Sequence, residues 1–250
     1  MSDTIAVEGQ VSGPGLSQVE RVVDTFVAPK KTFTDILRNA SWWLPFLLMV
    51  LITLGSTAVV EKQVGWERVA ENQIHQNPKQ EEAMAGLQPE QRAAQLRLSG
   101  KITRYISYGS FVFILVFVAI FALIYWASFN FGLGAKTTFS QMFAVCMYAG
   151  LPRLLTGLLT ILTLMFGGNA DAYDIKNPVG TNPAYYLPDA GPTLKVALSF
   201  FDLIGLWNLA LLVIGTAIIA KVSTGKAAVV VVGWWLLGLL IMVGITAATS

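Results

Sequence analysis

The 250-residue chain has one cysteine, Cys146, and one histidine, His75. An internal disulfide is impossible, and no Cys/His zinc site has enough ligands. A Ser-His-Asp or Cys-His catalytic pair would have to use His75, which lies in a Gln/Asn-rich hydrophilic stretch far along the chain from Cys146. Charge is also scarce, at 13% of residues against roughly 25% for a soluble domain. With a net charge of +2 and no basic block, there is no nucleic-acid footprint. Gly-x-Ser-x-Gly, His-Glu-x-x-His and phosphate-cradling glycine loops are missing, so the sequence implies no enzyme and no cofactor.

What is abundant is apolar: 54% of residues are hydrophobic, and mean hydropathy is +0.60. Five segments approach the roughly 20 residues a spanning helix needs. They run over about 41–60, 105–133, 137–166, 198–220 and 227–247. Trp42 and Trp43 open the first, where amphipathic aromatics favour the interface. The fold class expected is all-α: a polytopic membrane helix bundle with five transmembrane helices and an amino-terminal amphipathic interfacial helix. Its solvent is the lipid bilayer.

Residues 1–15 are acidic, contain Gly and Ser, and lack an apolar core, so they read as a disordered leader. Over 16–40, Val19, Val22, Val23 and Phe26 repeat at helical spacing. Pro29 restarts the pattern with Phe33, Ile36 and Leu37. Lys30, Lys31 and Arg38 lie among them, so Lys30, Lys31, Phe33 and Arg38 are expected to touch the membrane surface. A cap packed on the bundle is the alternative. The hydrophilic insertion 61–104 is broken at Pro78 and Pro89 into short helical pieces, and its charges are mixed. The loop 167–195 is rich in Gly, Asn, Asp and Pro, hence turn-rich. Lys136, Lys221 and Lys226 stand in short connections without acidic neighbours. That places the amino terminus on the cytoplasmic side.

The third span carries the most unusual residues, Pro152 and Arg153 at its centre. A mid-bilayer arginine costs about 2.5–3.5 kcal/mol, while each Leu, Ile, Phe or Val returns roughly 0.3–0.6. The span holds twelve of these large residues, which together outweigh the arginine. Cys146, Gly150, Arg153, Gly157 and Thr160 form one small or polar stripe, which should face other helices. Pro152 frees a carbonyl near Tyr148, for which Arg153 is the expected donor. In the fourth span Asp202, Gly205, Asn208, Gly215 and Thr216 cluster on one side. The expectation is that these two stripes pack together, with Asp202 or Asn208 as the partner of Arg153. The arrangement is either a polar clasp that fixes helix register or a polar path.

Several stretches resemble the Yip family of membrane proteins, named for interaction with Ypt/Rab GTPases. They are "APKKTFTDIL", "WWLPFLL", "YAGLP" with Tyr148 ahead of Pro152, and "FDLIGLWNLALLVIG". The resemblance covers about Val27 to Ala247 and implies five spans with a cytoplasmic amino terminus. It also implies a role in vesicle traffic, partner recruitment or membrane shaping. The acidic "DLYGP" type of tail is missing and the insertion 61–104 is unlike the compact eukaryotic form. The chain therefore looks like a prokaryotic member in the cytoplasmic membrane, without an implied GTPase partner. The leading expectation is a non-catalytic protein that organises membrane or recruits other membrane proteins. The alternative is a transporter, channel or accessory permease subunit with a path near Arg153 and Asp202.

Overall fold

A computed structural model describes residues 15–167 and 170–249. All but the last residue of the leader expected over 1–15 lies outside the described residues. The first two helices are α1 (Gln18–Val27) and α2 (Pro29–Ile36). Ser17 and Glu20 form a reciprocal capping box that starts α1. Pro29, with no N–H to extend α1, instead starts α2.

Next come α3 (Trp43–Gln63), α4 (Trp66–His75), α5 (Pro78–Ala85) and α6 (Pro89–Tyr108). After Gly109 the chain continues as α7 (Ser110–Ala127) and closes in a π turn over Ser128–Gly132. The third span is two helices, α8 (Phe139–Ala149) and α9 (Arg153–Met165), separated by Gly150, Leu151 and Pro152. A turn-rich loop leads to α10 (Pro192–Ser199), α11 (Leu203–Ala220) and α12 (Thr224–Thr249). The described residues contain no strand.

Five segments are long and apolar enough to cross a bilayer: α3, α7 with its π turn, α8–α9, α11 and α12. Burial ranks them. Every residue of α8 from Met142 to Ala149 is buried, which puts this helix at the centre of the core. The most apolar stretches of α7 and α12 are only 11% and 6% buried, so lipid must cover them.

The insertion is docked rather than free. Trp66 and Val69 of α4 join Val60, Leu164 and Tyr173 in a second small core. Asn72 Nδ2 donates to the carbonyls of Asp171 and Tyr173 at 3.0 and 2.9 Å, fastening α4 to the loop. Tyr108 donates its hydroxyl proton to Glu61 at 2.6 Å, and Arg104 pairs with the same carboxylate at 3.0 Å.

Candidate functional site: the broken third span

The break after α8 removes an ordinary i→i−4 bond. Arg153 N–H donates to Gly150 O, at 3.0 Å, instead of Ala149 O. The Tyr148 carbonyl takes the Leu151 N–H at 3.1 Å. The carbonyl left over is therefore that of Ala149, and Asn208 Nδ2 of α11 donates to it at 2.5 Å. The freed group does lie near Tyr148, as expected, but its donor is Asn208 and not Arg153. Proline tightened the chain locally, and the vacancy moved one residue along.

The small-residue stripe faces a different neighbour from the one expected. A Cβ on Gly157 would stand 2.4 Å from Ile52 Cγ2, and one on Gly150 2.9 Å from Met49 Cε. Both contacts are with α3. The glycines of the third span thus seat the first span, not the fourth. Gly215 of α11 meets Val145 of α8 and Phe33 of α2, with a notional Cβ at 2.6 and 2.9 Å. The third and fourth spans do pack, mainly through α8 and less along α9.

Arg153 and Asp202 form no ion pair within 4.0 Å among the described residues, although the guanidinium lies within electrostatic reach of the carboxylate. Asp202 is already committed. Its Oδ1 accepts Gly205 N–H at 2.7 Å and caps α11, and its Oδ2 accepts the Thr181 hydroxyl. Arg153 is exposed, lining a cavity of about 1060 Å3. The same cavity is lined by Asp202, Asn208, Gly150, Gly157 and Thr181. Tyr148 and Pro152 lie outside it, buried.

A second polar cluster escaped sequence reasoning. Arg21 of α1 and Asp35 of α2, 2% and 4% exposed, pair at 2.6 Å through both Nη2 and Nε. Arg21 Nη1 also donates to Asn39 O at 2.8 Å. Thr25 and Thr32 both donate to the Arg21 carbonyl, and Tyr148 donates its hydroxyl to Gln18 at 2.9 Å. The signal available was Arg21 and Thr25 at i and i+4 on one face of an amphipathic helix. At the mouth of α1, accepting the Ser17 N–H holds the Glu20 carboxyl below its ordinary 4.5. That cap is intact at neutral pH and is lost as pH falls through the lowered value.

Phe33 is fully buried, against the expectation of membrane-surface contact. Its ring fills the space that Gly215 leaves beside Val145, and aromatic burial there outweighs interfacial exposure. Lys30, Lys31 and Arg38 remain exposed. Arg38 lies 4.0 Å from Asp35. Phe26 meets Trp207 edge-on at 5.6 Å, so the α1–α2 hairpin lies along α11 as a packed cap.

The model of the Yip1 domain matches residues 23–245. The chain belongs to the Yip1 family. The Yip1 domain here begins within α1, spans the five membrane-crossing segments and includes the insertion. No curated protein and no solved structure matches the chain. Three of the four stretches that carried the resemblance meet directly, and the fourth packs on α8. The Phe33 ring of "APKKTFTDIL" meets Gly215, and Asn208 bonds the Ala149 of "YAGLP". Trp42 of "WWLPFLL" stacks edge-on with Phe143 at 5.0 Å. The Yip1 domain is thus an integral membrane bundle in contact with lipid, built around α8 and the break that follows it.

Proposed function

We infer that this Yip1 protein is a non-catalytic organiser of the bilayer that shapes it or recruits partners to it through the α1–α2 hairpin. One observation carries the reading. The hairpin is locked by the buried Arg21–Asp35 pair, yet Val19, Val23 and Val27 form a row exposed by 65%, 52% and 74%. A row at i, i+4 and i+8 on a rigid element is an apolar wedge, and the exposed Lys30 and Lys31 beside it suit anionic lipid. The positive connections at Lys136 and Lys221–Lys226 support a cytoplasmic amino terminus, in a prokaryotic cytoplasmic membrane. No GTPase is invoked.

The test is reconstitution of the full chain into large vesicles containing anionic lipid. Wild type should narrow or tubulate them, and the Val19→Asp/Val23→Asp variant should leave them like protein-free controls. Unchanged vesicles with both proteins would remove the shaping reading. A specific observation supports a second reading, a transport or permease subunit: Arg153, Asp202 and Asn208 share one cavity. Solute flux into vesicles that falls with Arg153→Lys while folding is unchanged would favour it.

A further inference from the structure

Arg153 has a counter-charge in reach, Asp202, but no direct contact with it. Among the described residues its guanidinium makes no hydrogen bond and no ion pair. The neighbours that would answer it are already engaged. Asp202 caps α11 with one oxygen and accepts from Thr181 with the other, while the Asn208 amide serves the Ala149 carbonyl. Turning Asp202 toward Arg153 would uncap α11. Arg153 thus lines a space of about 1060 Å3 with its five N–H donors unbonded to protein, and Asp202, on the same wall, leaves it only partly compensated.

One side of that space is polar and the other is aromatic and aliphatic. Phe113, Phe117 and Phe121 come from α7, and Trp235, Ile241 and Met242 from α12. These are the two spans least covered by protein, so bilayer lies against their outer faces. The volume is just above the ~300–1,000 Å3 of ordinary small-molecule sites. A second cation, Lys176, lines the part of the wall built by the turn-rich loop.

We propose that this cavity is a binding site for an anionic phospholipid, its phosphate held by Arg153 and its acyl chains lying between α7 and α12. A phosphate diester offers the paired oxygens that a guanidinium fork engages, and the aromatic and aliphatic walls suit hydrocarbon. The inference uses the cavity and not the hairpin, so it stands or falls apart from the shaping role.

The experiment titrates the full chain, purified in mild detergent, with dioleoylphosphatidylglycerol and counts bound lipid by native mass spectrometry. Dioleoylglycerol, oleate and inorganic phosphate serve as comparators. The expected result is saturable binding of one phosphatidylglycerol, with at least tenfold weaker binding of each comparator. Arg153→Gln should weaken it at least tenfold and Arg153→Lys less, while Lys136→Gln, in the connection before α8, should leave it unchanged. Equal binding by Arg153→Gln, or tighter binding of oleate or free phosphate, would overturn the proposal. A readout on wild type alone covers the case in which the glutamine variant does not fold. Phosphatidylglycerol with a photoreactive acyl chain should label sheltered cavity residues such as Leu209 and Leu212. Label confined to outward residues such as Val116 and Leu240 would count against the site.

Discussion

Gly157 and Ile52 show how little freedom single positions have in this bundle. Even a methyl on Gly157 would stand 2.4 Å from Ile52 Cγ2, so α3 and α9 must move apart or Ile52 must change rotamer. Gly157→Ala should cost about 1–3 kcal/mol, the usual penalty for overpacking. Thermal unfolding in detergent would measure it, and adding Ile52→Ala should return part of the loss. If Gly157→Ala melts like wild type, the close approach of α3 and α9 is wrong. The Arg21–Asp35 pair makes a stronger case. Asp35→Asn leaves Arg21 buried without its counter-charge, at a cost of about 3–5 kcal/mol. Replacing both, as Arg21→Met with Asp35→Leu, should be far milder, because the penalty comes from the stranded charge. The same melting measurement separates the two outcomes.

At the scale of elements, the third span works as two helices joined by a clamped break. Pro152 prevents a continuous ladder, and Asn208 of α11 supplies what the ladder lost at Ala149. Interhelical bonds of this sort are worth about 0.6 kcal/mol on average and up to about 1.7. Asn208→Leu should therefore destabilise by roughly that amount while leaving the helical circular-dichroism signal intact. A loss several times larger would mean that Asn208 does more than serve one carbonyl. The insertion divides in another way. Its α4 is fastened through Trp66, Val69 and Asn72, whereas among the described side chains of α5 only Met84 is buried. Amide exchange should be fastest over 76–88 and at least tenfold slower in α4, since local opening follows buried contact. Uniform exchange across the insertion would argue against its docking on the turn-rich loop.

For the whole molecule, an odd number of spans makes a topological prediction. Single cysteines at Gly134 and Gly225 should react with an impermeant maleimide from one side of the membrane, and one at Asp189 from the other. Native Cys146 is buried in the core, so it should stay silent until the protein unfolds. Labelling of the Gly134 and Asp189 sites from the same side would break the five-span arrangement.

The five apolar runs, the amphipathic character of α1 and α2, and the membrane class were all legible in residue order. Hydrophobic length and helical period are local properties, and backbone groups in lipid can be satisfied by helices without reference to distant neighbours. The polar anomaly at Pro152 and Arg153 was visible for the same reason. Its consequences were not. Which carbonyl Pro152 would strand, that Asp202 would be spent on Thr181 and Gly205, and that Gly157 would face Ile52 all depend on how helices rotate and cross. Only the tertiary structure decided that Phe33 leaves the membrane surface for the gap beside Gly215, and that Arg153 is left facing a cavity. A side chain's partners are set by packing between segments far apart in sequence, and helical period alone carries no information about which helix arrives.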